Sequence, residues 1–319
     1  MTRKVRFAAL QYQMSRSKEE NLATAGRLIE EAVNKYQPDL VGLPELCVTH
    51  YFPQYREVAN FNLAEPIPGP TADHLGQLAK RFGIYIIAPL YEVVEPNIYF
   101  NSTPLIAPDG SIIGVYRKVH IPFLDRELAA GGQPGEEAAA QRVVAYEKFY
   151  YRGADYASLP VFQTKFGKIA VLTCWDSYFP EMWRLVQLKG AEVVYCPFAS
   201  ARPAQEHYKT LWVSTAMSYS WNFQCYSVWT NRVGREDRLT YRGRSLIVDP
   251  AGRVLAGPAS ETGEDICFAE LDLDKIKPIR DAYPVLMNRE PRVYAPLAEP
   301  HASRDAVFKG KAGVFGKVL

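Results

Sequence analysis

The stretch KIAVLTCWDSYFPEMWRLVQLKGAEVVYCPFA, residues 168–199, carries the pattern on which the fold prediction rests. Its apolar segments at 169–173 and 191–199 predict two buried strands. Between them FPEMWRLVQLKG (179–190) has helical periodicity and stops at a glycine. A strand, a turn, a helix and a second strand in this order indicate a layered α/β protein. Cys174 lies at the turn between the first strand and the helix.

The rest of the chain continues this alternation of strands and helices. Further strands are predicted at 5–12, 40–46, 84–92, 225–231 and 267–276, and further helices at 18–36, 71–83 and 211–224. Hairpins with short turn segments are predicted at 100–118, 161–174 and 242–258. Ser17 followed by Glu20 forms a capping-box pattern at the start of the first helix. Because hairpins are interspersed with helices, we expect mixed sheets packed in layers and not an all-parallel doubly wound sheet.

The pattern favours a single domain over residues 1–294. Residues 123–145 are rich in Gly, Ala and Glu and are interpreted as an insertion loop. Residues 295–319 are weakly patterned and are interpreted as a C-terminal tail or an oligomerisation arm.

Composition excludes several classes of function. The chain has 319 residues, 48% of them hydrophobic, and a formal net charge of only +2 without a run of basic residues. This balance argues against nucleic acid or an anionic membrane as a partner, and the sequence has no apolar stretch long enough to span a bilayer. Five widely spaced cysteines, without a CxxC pair or a Cys/His cluster at zinc spacing, fit a cytoplasmic protein without disulfides or a metal.

Cys174 is the candidate nucleophile. A thiol at a strand-to-helix turn lies near the free N–H groups of a helix start, which stabilise a thiolate or an oxyanion. The alternative is a buried cysteine that only fills the core. Two bases are open on the residues alone: His120, in YRKVHIP, and Glu45, a carboxylate at the end of an apolar strand in GLPEL. Lys118 also ends a strand, so Glu45, Lys118 and Cys174 share a strand-end position.

Three segments of the chain resemble the signature segments of the nitrilase superfamily of carbon–nitrogen hydrolases. They are LPEL (43–46), YRKVHIP (116–122) and TCWDSYFPE (173–181), and weaker matches extend over most of the chain outside 123–145 and the tail. The resemblance implies an α/β fold, a four-layer α-β-β-α sandwich of two mixed sheets. It also implies assembly as a homodimer or a larger homo-oligomer, and no metal or organic cofactor.

The same resemblance implies roles for particular residues. Glu45 would be the base, Cys174 the nucleophile and Lys118 the cation that stabilises the tetrahedral intermediate. The backbone N–H of Trp175 would be a second oxyanion donor. Glu147, in AYEKFYYRGAD, matches a further active-site glutamate that positions the substrate. We expect Lys118 to lower the pKa of the Cys174 thiol.

The segment CWDSYFPE is most similar to the carbamoyl and amidase branches of the superfamily. We therefore predict a small-molecule N-carbamoyl amine or N-carbamoyl amino acid as substrate, hydrolysed through a thioester to ammonia and carbon dioxide. Carbamoyl-D-amino-acid hydrolases carry an arginine pair where this chain has Ser177 and Tyr178, and Arg202 is a substitute for it. The candidate substrate-binding residues are Tyr51, Phe149, Trp175, Tyr178 and Arg202.

Three alternatives remain open from the sequence. The first is an aliphatic or aromatic amidase, or a nitrilase, that uses the same three residues. The second is a hydrolase that pairs Cys174 with His120. The third, from another class, is a non-catalytic binding member of the fold.

Overall fold

The structure, a computed structural model, describes residues 3–128, 141–201 and 206–298. The chain divides into two compact units, one ending at Ile279 and one beginning at Arg280. The sheets and the site described below belong to the first unit. In the second unit, residues Pro291–Ala298 form a 3₁₀ helix. None of the helices in the described ranges is long and apolar enough to cross a membrane.

The secondary structure follows the alternation expected from the sequence. The α-helices are α1 (Lys18–Tyr36), α2 (Pro70–Phe82), α3 (Glu147–Tyr150), α4 (Pro180–Leu188), α5 (Glu206–Phe223) and α6 (Ile276–Ala282). The strands are β1 (Lys4–Gln11), β2 (Leu40–Gly42), β3 (Tyr85–Ile87), β4 (Leu90–Glu95), β5 (Ile98–Ile106), β6 (Ile112–Arg117), β7 (Leu124–Leu128), β8 (Gln141–Ala145), β9 (Val161–Gln163), β10 (Lys168–Val171), β11 (Val193–Pro197), β12 (Tyr226–Thr230), β13 (Val233–Glu236), β14 (Leu239–Arg242), β15 (Leu246–Val248), β16 (Val254–Ala256) and β17 (Asp265–Asp272).

Two mixed sheets form the centre of the fold. The first has the order β17–β1–β2–β3–β5–β4, with β6 paired to β5, and its β1–β2 and β2–β3 pairs are parallel. The second has the order β16–β15–β12–β11–β10–β9, with parallel pairs from β10 to β12 and antiparallel pairs outside them. Two ribbons, β7–β8 and β13–β14, lie outside the sheets.

The sheets pack face to face between two helical layers. Leu28 and Ile29 of α1 and Leu75 of α2 pack on the first sheet, while Trp183 of α4 and Trp212 of α5 pack on the second. Between the sheets, the rings of Phe7 and Tyr195 stack with centroids 5.7 Å apart. A Cβ at Gly42 would lie 2.4 Å from the Tyr195 ring, so only glycine allows this close approach. The predicted four-layer α-β-β-α sandwich is confirmed.

Helix α1 shows how the sequence determines a boundary. The Ser17 side chain accepts a hydrogen bond from the Glu20 N–H at 3.2 Å, and the helix begins at Lys18 as the capping pattern predicts. The helix ends at Tyr36, where Gln37 adopts a left-handed conformation with φ of 49°. The buried stripe of Ala25, Leu28, Ile29 and Ala32 follows the 3.6-residue period.

Three local predictions need correction. The strand predicted over 40–46 ends at Gly42, because the residues after it turn to present a buried side chain to the site. The run at 84–92 is two strands, β3 and β4, separated by Ala88 and Pro89. The ends of the predicted loop 123–145 pair as the antiparallel ribbon β7–β8, while residues 129–140 lie outside the described residues. The domain boundary at 294 stays a prediction.

Candidate active site

Three strand ends converge at one edge of the sandwich. Glu45 follows β2 by three residues, Lys118 directly follows β6, and Cys174 follows β10 by three residues. The first two strands belong to one sheet and β10 to the other, so the face-to-face packing of the sheets brings the three together. This is the strand-end grouping that the sequence predicted.

Glu45 is fully buried and each of its carboxylate oxygens is bound. Oε1 accepts hydrogen bonds from Lys118 Nζ and Asn101 Nδ2, both at 2.8 Å, and Oε2 accepts the backbone N–H of Ala199 at 2.7 Å. Three donors from three different segments therefore fix the orientation of the carboxylate. A buried charge is tolerated only when it is paired and hydrogen-bonded in this way.

Glu147, the first residue of α3, is a second buried carboxylate on the same lysine. Its Oε2 lies 2.8 Å from Lys118 Nζ, and its Oε1 accepts the Tyr51 hydroxyl at 2.7 Å. Burial raises the pKa of Glu147, and Lys118 offsets only part of this effect. Burial would lower the pKa of Lys118, but the carboxylates of Glu147 and Glu45 outweigh it and raise that pKa, so the ammonium form is favoured.

Cys174 has a backbone conformation that is rare for a residue with a side chain. Its φ is 46°, in the left-handed region, at the start of the 3₁₀ helix Cys174–Tyr178. Such a conformation costs about 1–3 kcal/mol and persists where the surrounding structure enforces it, often at functional sites. The residue is half-buried, and its thiol lies close enough to Glu45 for that carboxylate to raise its pKa. The N–H of Trp175 lies in the first turn of this helix, where N–H groups have no intrahelical acceptor.

The pKa of the Cys174 thiol is raised well above its ordinary value. Burial is the largest cause, followed by the negative charge of Glu45, and Lys118 opposes both without reversing the shift. Lys118 lowers the pKa of the thiol as expected, but burial and the carboxylates outweigh it and the net shift is upward. Sequence reasoning included the lysine but not the two carboxylates or the desolvation. The resting site holds a neutral thiol beside a carboxylate.

We expect no thiolate at Cys174 at neutral pH. The thiolate absorbance near 240 nm, taken as the difference between the wild-type chain and a Cys174→Ala variant, should stay flat through pH 8.5. In Glu45→Gln the thiol should ionise at lower pH, because the charge and hydrogen bond of Glu45 both raise its pKa. A thiolate signal already present in the wild type at pH 7 would contradict this assignment.

Asp176 connects the lysine segment to the cysteine turn. Its buried carboxylate accepts the backbone N–H groups of Val119 at 2.9 Å and His120 at 2.7 Å, together with the Tyr116 hydroxyl. His120 Nδ1 lies 2.6 Å from Asp176 Oδ1, and the His120 ring stacks on Phe179 at 3.7 Å between centroids. The structure thus pairs His120 with Asp176, whereas the group that acts most strongly on the Cys174 thiol after burial is Glu45.

A cavity of about 580 Å³ lies beside these groups. Its lining includes Val119, His120, Lys148, Tyr151, Trp175 and Phe179. A volume of this order is typical of small-molecule sites. Aromatic side chains dominate the wall, and Lys148 adds an exposed cation.

The predicted substrate-binding residues take different positions. Trp175 lines the cavity, and its ring lies 5.4 Å from that of the exposed Tyr178. Tyr51 is buried and donates a hydrogen bond from its hydroxyl to Glu147, so it orients that carboxylate. Phe149 is 39% exposed and packs on Phe61 at 5.6 Å between centroids. Arg202 lies outside the described residues.

Comparison with known proteins places the chain in a family. The family model of the carbon–nitrogen hydrolases matches residues 6–281. The chain belongs to the carbon–nitrogen hydrolase family. The predicted membership of the nitrilase superfamily is confirmed, and this carbon–nitrogen hydrolase is an enzyme that hydrolyses amide carbon–nitrogen bonds.

Relatives of this carbon–nitrogen hydrolase cover almost its whole length. It is 33% identical to the N-carbamoylputrescine amidase of Solanum lycopersicum over 307 residues, 92% of this chain and 95% of the relative. It is 29% identical to the citrullinase of Francisella tularensis subsp. tularensis over 299 residues, 91% of this chain and 96% of the relative. The crystal structure of a carbon–nitrogen hydrolase from Helicobacter pylori G27 matches with a TM-score of 0.81 and 29% identity, covering 93% of this chain and 99% of that chain.

Two residues of this carbon–nitrogen hydrolase were not recognised as parts of the site from sequence. Asn101 was noted only within a predicted hairpin and a weaker family match, and Asp176 only within the segment CWDSYFPE that distinguishes branches of the superfamily. The available signal for Asn101 was the polar run Asn101–Thr103 inside a predicted strand. In the structure all three residues are fully buried, and buried polar side chains require hydrogen-bond partners. Within the described ranges, no group of three or more His, Cys, Asp or Glu side chains is placed to hold a metal ion.

Proposed function

We propose that this enzyme hydrolyses an N-carbamoyl amine or an N-carbamoyl amino acid, with Cys174 as nucleophile and Glu45 as general base. The observation that carries the proposal is the buried Lys118 ammonium, bound at 2.8 Å by both Glu45 and Glu147, next to a thiol whose pKa is raised by burial and by the charge of Glu45. A base in contact with its nucleophile and a fixed cation are the parts that nucleophilic acyl transfer requires.

The first half of the reaction forms a bond between carbon and sulfur. Glu45 removes the proton from Cys174 Sγ as Sγ attacks the carbamoyl carbon, and the carbonyl electron pair moves to oxygen. Lys118 and the backbone N–H of Trp175 stabilise the oxyanion. Glu45 then donates the proton to the terminal nitrogen, and the carbon–nitrogen bond breaks to release ammonia. The product is a thioester in which Sγ carries the R–NH–CO group.

The second half restores the thiol. Glu45 removes a proton from water, the hydroxide attacks the thioester carbon, and the carbon–sulfur bond breaks. The sulfur regains its proton from Glu45. The released carbamic acid, R–NH–COOH, divides into the amine and carbon dioxide. One water is consumed, and ammonia, carbon dioxide and the amine are formed.

A carbamoyl group differs from a simple amide by one further N–H beside the carbonyl. Glu147 suits this group, since each of its oxygens accepts one hydrogen bond and keeps a lone pair for another. The names of the similar amidase and citrullinase point to the same class of substrate. Lys148 at the cavity favours an anionic tail, whereas the aromatic wall with Trp175 also accepts a cation. The proposal therefore includes both N-carbamoyl amines and N-carbamoyl amino acids as substrates.

Ammonia release across a substrate panel tests the proposal. The panel contains N-carbamoylputrescine, N-carbamoyl-β-alanine, N-carbamoyl-D- and L-amino acids, simple aliphatic and aromatic amides, and a nitrile, with a Cys174→Ala control. We expect a carbamoyl compound to have the highest kcat/KM, with turnover lost in the control. Turnover of simple amides or the nitrile alone would overturn the carbamoyl assignment and favour an amidase or a nitrilase that uses the same three residues. Absence of turnover across the panel would overturn the carbamoyl assignment and point to a narrow substrate outside the panel.

We also propose that the enzyme works in the cytoplasm as a homodimer or larger homo-oligomer. All five cysteines are free thiols, as in a reducing compartment, and oligomers are the assembly that the family resemblance implies. Sedimentation equilibrium of the purified chain tests the oligomer, and cell fractionation tests the compartment. A monomer at micromolar concentration would contradict the proposed oligomer. Recovery of the protein from the medium or from a membrane fraction would contradict the proposed compartment.

A further inference from the structure

Arg232 is a fully buried arginine that the reaction steps above do not use. It lies between β12 and β13, and its guanidinium donates to main-chain oxygens of the loop that carries Glu45. Nε and Nη2 reach the Glu45 carbonyl at 3.1 and 2.8 Å. Nη2 also lies 2.8 Å from the Leu46 carbonyl and 2.9 Å from the Thr49 carbonyl. One side chain thus binds three carbonyls of a single loop.

The loop needs this support because of its own backbone. Leu46 has a φ of 52°, in the left-handed region, and the strand before it has ended at Gly42. Carbonyls in a buried irregular loop have no sheet or helix partner, and leaving one unbound costs about 1–3 kcal/mol. The Leu46 carbonyl also accepts the Thr49 N–H at 3.1 Å, and the guanidinium supplies a further donor there and donors to the Glu45 and Thr49 carbonyls. These bonds fix the backbone from which the Glu45 side chain projects.

Glu236 extends the support to the other end of the loop. Its carboxylate binds Arg232 Nη1 through both oxygens, at 2.9 and 2.7 Å, and Oε2 accepts the backbone N–H of Tyr51 at 2.7 Å. The Tyr51 hydroxyl binds Glu147, which binds Lys118, which binds Glu45. The contacts close a ring that begins and ends at Glu45.

Stability alone is a weak reason for such a pair. Removing two charges from water costs several kcal/mol per ion, and well-packed apolar residues often replace a buried ion pair without loss of stability. Apolar residues could not donate to three carbonyls. Lysine has a single ammonium and lacks the planar fork that binds Glu236 through one arm and the loop through the other.

We propose that Arg232 and Glu236 are positioning residues that hold Glu45 and Tyr51 at the distances the reaction needs. This inference rests on the proposed role of Glu45 as base. A misplacement of about 1 Å at a reacting group can cost about 10²-fold in rate. The pair acts on the carboxylate through the backbone and touches no substrate.

The test uses the full chain with Arg232→Lys, Glu236→Gln and a control, Arg6→Lys. Arg6 also pairs with a carboxylate, Asp39, but lies at the opposite end of the first sheet. For a panel compound that the wild type hydrolyses, we expect Arg232→Lys to lower kcat about 10²-fold with KM changed less than about threefold. Glu236→Gln keeps an acceptor for the Tyr51 N–H but loses the charge, so about a tenfold loss is expected. The control should retain its kcat.

A crystal structure of each variant supplies a readout that needs no substrate. In Arg232→Lys, the Glu45 carboxylate should leave the Ala199 N–H, to which it is bound at 2.7 Å in the wild type. Folded variants with unchanged kcat and an unmoved Glu45 would overturn the inference. If Arg232→Lys does not fold, the result with Glu236→Gln decides by the same criteria. If the wild type hydrolyses no panel compound, the proposed function fails, and the position of Glu45 still tests the inference.

Discussion

Replacement of Glu45 by glutamine is expected to lower kcat by about 10³-fold or more, since general acid–base catalysis contributes about 10²–10⁴-fold and this residue acts in both half-reactions. Glutamine has the same shape, and its single carbonyl oxygen can still accept either the Ala199 N–H or the Asn101 amide, which bind different oxygens of Glu45 in the wild type. It cannot take the proton of Cys174 or return it to the leaving nitrogen. Steady-state ammonia release, together with thermal unfolding, measures the effect.

The matched control is Glu192→Gln. Glu192 precedes β11 and pairs with Arg3, at the end of the second sheet opposite Cys174, so its loss should leave kcat unchanged. This comparison also separates the alternatives left open by the sequence. A Cys174–His120 hydrolase would keep its rate in Glu45→Gln and lose it in His120→Ala. That outcome would replace Glu45 as the base.

Replacement of Lys118 by methionine is expected to have the other largest effect, on both rate and stability. Removing one donor to an oxyanion costs about 10²–10³-fold in kcat, and here the donor is charged. Two buried carboxylates, Glu45 and Glu147, would also face each other without a cation. Breaking a buried ion pair from one side costs about 3–5 kcal/mol. Ammonia release and thermal unfolding measure the two losses.

The pH dependence of that variant distinguishes electrostatics from simple loss of packing. Lys118 lowers the pKa of Glu147, so without it the folded-state pKa of this buried carboxyl, already raised by burial, rises further and the folded state binds more protons. Stability then falls as pH rises through this range, and we expect a higher Tm at pH 5 than at pH 8. Lys168→Met, at the exposed start of β10, is the control, and its Tm should follow that of the wild type across this range. A Lys118→Met variant whose Tm rises between pH 5 and pH 8 would contradict the arrangement.

Sequence reasoning succeeded where the deciding interactions are local. The bounds of α1 follow from the cap at Ser17 and from a periodic apolar stripe, and both are visible in the linear pattern. Glu45, Lys118 and Cys174 were recognised as strand-end residues because each one ends an apolar run, and the family resemblance implied that they act together. A side chain that ends such a run lies where a strand ends, and this position does not depend on how the strands are ordered in the sheet.

Reasoning from the sequence failed where distant segments determine the outcome. Asn101 binds Glu45 across 56 positions, and Arg232 binds the Glu45 carbonyl across 187. A linear pattern does not show such partners, so β2 was extended to 46 although the loop after Gly42 is held by Arg232. The net rise of the thiol pKa was missed for the same reason: Lys118 lowers that pKa as expected, but burial and the carboxylates that outweigh it become visible only in the folded chain.

The central claim is that Cys174 carries the acyl group during turnover. Rapid acid quenching of the enzyme with its best panel substrate, followed by mass spectrometry of the Cys174 peptide, tests it most directly. We predict that this peptide gains the mass of the R–NH–CO group within the first turnover, and that Cys174→Ala gives neither adduct nor product. Product formation while the peptide stays unmodified from the first milliseconds into steady state would contradict the account.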